Sequence, residues 1–205
     1  MALLAAPLFA AETPEPTTLL IAVTLPAGAE EELAEESLRT AESVLARSGA
    51  PIAIVLCAKA DKRPCRSRYP DPRIWVRLKN ESELDQSLGR GSVFGRAYLN
   101  EQGTGGTMAD VFLNRVRSHA LEMGVREAAL LGHAIAHEVG HLLLGRNSHS
   151  VSGLMAAKWD GAELTMAAHG RLVFLRSEAD EVRRRTALRL RPAESAIALS
   201  AVRRD

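Results

Sequence analysis

The chain has 205 residues, 46% of them hydrophobic, with 26 Lys and Arg against 25 Asp and Glu for a formal net charge of +1. A length and apolar share of that kind fit a soluble globular fold of one domain or two small lobes. The balanced charge excludes a global field for nucleic acid, a polyanion or a membrane surface, and no stretch reaches the roughly 18 consecutive apolar residues of a membrane span.

Residues 1–11 are an apolar run ending in small side chains and followed by the polar Glu12 to Pro16. The run reads as the back half of a secretion signal without its basic start, so 1–16 is expected to be a partial signal peptide and linker. A secreted or periplasmic location follows from that reading, with the cytoplasm as the alternative. Cys57 and Cys65 flank a polar turn. In an exported protein they are expected to pair, and in a cytosolic one to stay as thiols.

Leu19 to Leu25 is a short apolar, β-branched run closed by Pro26 and Gly28, and it predicts a buried strand. Glu30 to Arg47 carries Leu33, Ala41, Val44 and Leu45 at helical spacing before Gly49 and Pro51 stop it, and Ile52 to Cys57 predicts a second strand. A strand, helix and strand in that order predict two parallel neighbours. Further strands are expected at Arg73 to Leu78, Val93 to Leu99 and Met108 to Leu113. The glycine-rich Gly103 to Thr107 between the last two lacks the lysine of a phosphate loop and reads as a mobile turn beside a sheet edge.

Helices are expected from Arg115 to Met123, from Arg126 to Leu144 and from Ala162 to Arg185, with an Arg-rich, frayed remainder to Asp205. The second is apolar on almost every side, which places it in the protein interior. It also carries His137-Glu138-Val139-Gly140-His141. Residues four apart share one helix face, so the two imidazoles can reach one metal ion with Glu138 beside them. A buried helix does not carry two histidines and a glutamate without partners for them. His133 shares that face one turn earlier and is expected to bond a backbone carbonyl or orient the site, while His119 and His169 read as ordinary histidines.

A catalytic zinc takes three protein ligands and leaves a fourth position open. Downstream of His141 the candidates are His149, His169, Asp160, Glu163, Glu178, Asp180 and Glu181. Ligand type and proximity favour His149, with Glu163 as the alternative. Asn147 stands nearby, but an amide oxygen is a poor zinc ligand beside an imidazole.

The segment from His137 through Gly145 and His149 to Met155 resembles the metzincin branch of the zincin metallopeptidases. The metzincin pattern is His-Glu-x-x-His-x-x-Gly-x-x-His followed by a methionine turn. Here the glycine comes one position late and the third histidine two positions late. The tail resembles that of matrixins and archaemetzincins, and the resemblance covers roughly 133–159 at motif level. It implies an α+β fold with a mixed twisted sheet, a long helix, a buried active-site helix and a small C-terminal helical lobe. It divides the chain into a lobe of 17–145 and a lobe of 146–205. It implies Zn2+ on His137, His141 and His149, Met155 as an apolar floor, and Glu138 as the base of an endopeptidase acting on a peptide or protein substrate. A metzincin substrate pairs with a sheet edge, and Gly106 to Asn114 is the segment expected to offer it. The rival readings are a gluzincin with Glu163 as third ligand and a non-catalytic module with a structural zinc. The sequence assigns no oligomeric state, no nucleic acid and no stable membrane insertion.

Overall fold

The computed structural model describes residues 18–57, 65, 73–81 and 94–191. The signal-like start and the Arg-rich C-terminal tail lie outside those residues. Five strands come first: β1 (Leu19–Thr24), β2 (Ile52–Cys57), β3 (Arg73–Lys79), β4 (Gly95–Leu99) and β5 (Gly106–Phe112), with helix α1 (Glu31–Ala46) between β1 and β2. Four helices follow: α2 (Leu113–Met123), α3 (Glu127–Leu144), α4 (Gly161–Ala168) and α5 (Arg176–Arg189). Among the described residues the chain is therefore α+β, with a five-stranded, mostly parallel sheet and five helices.

The strands lie in the order β2-β1-β3-β5-β4. β1 runs parallel to β2 and β3, β3 runs parallel to β5, and β4 alone is antiparallel, to β5. Alternation decides which side chains meet the helices: Leu19, Ile21 and Val23 of β1, Ile74, Val76 and Leu78 of β3, and Ala109 and Val111 of β5 are all buried in one cluster. Leu38, Ala41, Val44 and Leu45 of α1 join it, as do Leu130, Leu131, Ala134, Ile135, Val139, Leu142 and Leu143 of α3. Burying each large aliphatic side chain contributes about 1.5–3 kcal/mol, and this drive carries the polar groups of α3 into the interior. Gly132 lets α3 approach α1, since a Cβ there would stand 2.5 Å from the Ser37 carbonyl oxygen.

Leu154, Met155, Leu164, Leu172, Phe174 and Val182 from beyond Gly145 join the same core cluster. The helix expected over Ala162 to Arg185 is in fact two. Gly170, at φ +64°, ends the first, and the next five residues run extended so that Leu172 and Phe174 are buried while the Val173 carbonyl accepts the Leu154 N–H at 2.9 Å. The strand expected from Met108 begins two residues earlier, at Gly106, and Leu113 already opens α2.

The Gly103 to Thr107 turn is docked rather than free. The Arg146 N–H donates to the Gly103 carbonyl at 2.7 Å, Arg185 Nη1 to the Thr104 carbonyl at 2.6 Å, and Arg189 Nη2 to the carbonyls of Gly106 and Leu142 at 2.9 and 2.7 Å. Cys57 and Cys65 form a disulfide at the β2 edge of the sheet.

Candidate metal centre

His137 and His141 project from successive turns of α3, and their Nε2 atoms lie 3.0 Å apart. Gly145 then ends the helix at φ +84°, Asn147 adopts φ +58°, and the chain doubles back to bring in His149. The His149 ring centre is 4.6 Å from that of His141 and 5.7 Å from that of His137. One nitrogen from each imidazole lies within 4.8 Å of the others. The two extra residues relative to the strict spacing are taken up by this left-handed turn.

The imidazoles are aimed by hydrogen bonds on their far nitrogens. His137 Nδ1–H donates to the Leu154 carbonyl at 2.7 Å, and His141 Nδ1 bonds the Ser148 hydroxyl at 2.7 Å. The His137 bond fixes its tautomer and leaves Nε2 as a bare acceptor. Burial pushes the His137 pKa down to about 4, with His149 adding to the fall and the Leu154 carbonyl opposing it. Burial, with His137 and His149 beside it, pushes His141 down to about 3. Both rings are neutral at pH 7, and their two Nε2 atoms stand within hydrogen-bond distance of each other. Such a set suits a metal ion: tetrahedral ligands at about 2.0–2.1 Å from zinc stand about 3.3 Å apart. The three histidines could hold a metal ion.

Met155 is fully buried. A Cβ at Gly140 would meet its sulfur at 2.5 Å, so glycine at the fourth position of the motif makes room for the methionine. Trp159 Nε1–H donates to the same Leu154 carbonyl at 3.1 Å, and its ring stands edge-on to His137 at 5.6 Å.

Glu138 is 5% exposed and leans the other way, against β4. Its carboxylate accepts the Ala97 N–H, and a Cβ at Gly95 would lie 2.6 Å from its Cγ. Burial raises its pKa to about 8, with the Ala97 N–H and Arg96 opposing the rise and Asp110 adding to it. Behind β4, the fully buried Asp110 is held by Arg77 Nε at 2.7 Å, Lys79 Nζ at 2.8 Å and the Tyr98 hydroxyl at 2.8 Å. Those hydrogen bonds outweigh desolvation and keep its carboxyl below the usual carboxylate range.

A cleft of about 370 Å³ opens over the histidines, with β4 on one side and residues 145–149 and 156–159 on the other. Among the described residues the free sheet edge here is β4. The segment expected to be the edge, Gly106 to Asn114, is instead β5 and the start of α2, and β5 is paired on both sides, by β3 and β4. In the antiparallel ladder alternate residues face the partner strand, and the Phe94 carbonyl accepts from Phe112. Ala97 and Leu99 thus turn their backbone groups away from β5.

The other candidates have separate partners. His133 Nδ1–H donates to the Ala129 carbonyl at 2.7 Å and its ring stands edge-on to Trp159. Glu163 is buried in the first turn of α4, hydrogen-bonded to Asp160, and is not among the converging groups. Asp160 caps α4 at the Ala162 N–H, Glu178 caps α5 at the Leu175 N–H, Asp180 pairs with Arg183, and Glu181 with Arg184 and Arg185. His169 bonds the Thr165 carbonyl, and His119 stacks on Phe94. Asn147 is exposed in the turn.

Sequence reasoning missed Ser148, Ala97 and Asp110. Ser148 carried a signal, a hydroxyl next to a ligand candidate. The Ala97 contact is made by backbone and carried none. Compared with protein-family models and with curated proteins, the chain matches none of them.

Proposed function

We propose that the chain is a zinc metallopeptidase of metzincin-like type. The observation that carries this reading is one arrangement: three converging neutral imidazoles on an open cleft, with a buried carboxylate one residue along the helix and a free strand edge beside them. His137, His141 and His149 hold the ion, while the Leu154 carbonyl and Ser148 hydroxyl keep two of the rings aimed. When bound, zinc supplies Lewis acidity, making water acidic near neutral pH and polarising a carbonyl. Glu138, whose ionised form a cation bound beside it would favour, takes the proton of the attacking water and passes it to the leaving nitrogen as the new C–O bond forms and the C–N bond breaks. The outward Ala97 carbonyl and the backbone groups of Leu99 pair with an extended peptide, which lies along β4 as an added strand.

A purely structural zinc is the weaker reading. Structural sites are closed, four-coordinate and usually contain cysteine, whereas here Cys57 and Cys65 bond each other at the far edge of the sheet and His149 is exposed. The disulfide supports an oxidising compartment, in keeping with secretion or the periplasm.

The test is zinc content and cleavage of an unstructured protein such as casein, for the wild type and for Glu138→Gln. Both proteins are expected to carry one zinc, and the variant to lose about 10²–10⁴-fold in kcat. Cleavage that survives the change in a zinc-loaded protein refutes the assignment.

A further inference from the structure

Four charged residues line the cleft among the described residues: Arg96, whose side chain lies on the Asp110 face of its strand, Arg146, Lys158 and Glu138. Glu138 is the lone acid and is already buried against β4. The three cations come from three different walls. Arg96 is on the edge strand beside Glu138, Arg146 follows Gly145 where the chain leaves α3, and Lys158 lies in the wall that ends in Trp159. Arg96 acts electrostatically on Glu138 without a salt bridge, and neither Arg146 nor Lys158 has a carboxylate partner among the described residues, although Arg77, Lys79, Arg115, Arg117, Arg126, Arg183, Arg184 and Arg185 all do. Arg146 makes one long contact, from Nη2 to the Glu101 carbonyl at 3.5 Å. Arg96 has a buried Nη2 with no hydrogen-bond partner.

We infer that the cleft selects peptides with Asp or Glu side chains flanking the scissile bond, a reading that rests on the peptidase assignment above. A chain net charge of +1 does not produce this preference; the local grouping of three cations around one cavity does. A peptide laid along β4 runs past Arg96 and faces Lys158 across the cleft, so acidic side chains on either side of the cut bond meet a cation. Arg96 offers the planar, bidentate fork that suits a carboxylate. Arg146 and Lys158, both exposed, act as screened point charges worth about two- to fivefold each. Together the three give an acidic substrate an advantage of roughly tenfold or more at low salt, and the advantage shrinks as the Debye length falls.

The experiment uses two fluorogenic peptides identical except that Glu and Asp flank the central apolar pair in one and Gln and Asn in the other. The zinc-loaded wild type is expected to cut the acidic peptide with a kcat/KM roughly tenfold higher at about 50 mM salt, falling toward parity at about 500 mM. Arg146→Gln with Lys158→Gln, on an exposed surface where folding is little affected, is expected to lose most of that ratio while cutting the neutral peptide as before. Arg96→Gln is expected to lower cleavage of the acidic peptide selectively; equal loss on both peptides would make Arg96 a positioning residue for Glu138 and overturn its part in selection. Binding of the same peptides to zinc-loaded Glu138→Gln, read by fluorescence anisotropy, separates the two assignments. Cleavage of both peptides at equal rates overturns the preference and leaves the peptidase standing. Preferential binding of the acidic peptide with no cleavage of either by the wild type overturns the peptidase and leaves the preference standing. No cleavage with no preference in binding overturns both.

Discussion

Replacing Gly145 by alanine tests how the third imidazole reaches the centre. Gly145 sits at φ +84° and ψ −158°. That region is essentially confined to glycine, and an alanine there costs about 1–3 kcal/mol of backbone strain. The new Cβ would also stand 2.6 Å from the Gly103 carbonyl oxygen and 3.1 Å from the Thr104 carbonyl carbon. Both are backbone atoms of a turn pinned by Arg146 and Arg185, so they cannot give way cheaply, and overpacking adds about 1–3 kcal/mol. The helix before Gly145 is buried, so the strain of about 2–6 kcal/mol is relieved by displacing residues 145–149, and His149 with them. At about 1.4 kcal/mol per tenfold, zinc affinity is expected to fall at least about 30-fold. The assay is competition with a chromophoric zinc chelator, beside thermal melts of the metal-free protein. Gly170→Ala is the control: it too has a positive φ, +64°, but nothing lies within 4 Å of its Cβ, so its zinc affinity is expected to stay at the wild-type value. A folded Gly145→Ala protein that binds zinc as tightly as the wild type refutes the reasoning.

Two further outcomes follow from the site and its support. His149→Ala is expected to lose bound zinc on dialysis and Glu163→Ala to retain it, since only the former belongs to the converging set; the reverse result, read by metal analysis, would move the third ligand to α4. Asp110→Asn is expected to cost about 1–3 kcal/mol at pH 7, because charge-assisted hydrogen bonds from Arg77, Lys79 and Tyr98 are weakened. The Asp110 carboxyl is held below its unfolded value of about 3.9, so its contribution is fully present above that pH and is lost as pH falls through the lower folded value. Urea unfolding should therefore show the gap between wild type and variant closing toward pH 3, and a gap that widens in acid contradicts the assignment.

The histidine-bearing helix α3 was legible because an all-round apolar segment has one place to go, and a motif spaced by four within it has one face to occupy. The strand, helix and strand at the start were legible from alternation and from Gly and Pro stops, and β1 and β2 do pair in parallel. Strand order was not. Nothing in the run from Gly106 to Phe112 says that it will be paired on both sides while the earlier Gly95 to Leu99 takes the edge, because pairing order depends on which faces the helices cover. The break between α4 and α5 was hidden for a related reason. Leu172 and Phe174 continue an apolar pattern that suits a helix, and only the long-range bond between Leu154 and Val173 reveals an extended segment. The aim of the imidazoles rests on the Leu154 carbonyl, a backbone group that every residue type carries and that therefore leaves no trace in the sequence.

The most direct measurement is X-ray absorption at the zinc edge of the purified, zinc-loaded protein. Three imidazole nitrogens at about 2.0–2.1 Å with one further light oxygen donor are expected, the pattern of an open three-histidine site. A sulfur shell near about 2.3 Å, or a sphere filled by four protein ligands, would contradict a catalytic centre built on His137, His141 and His149.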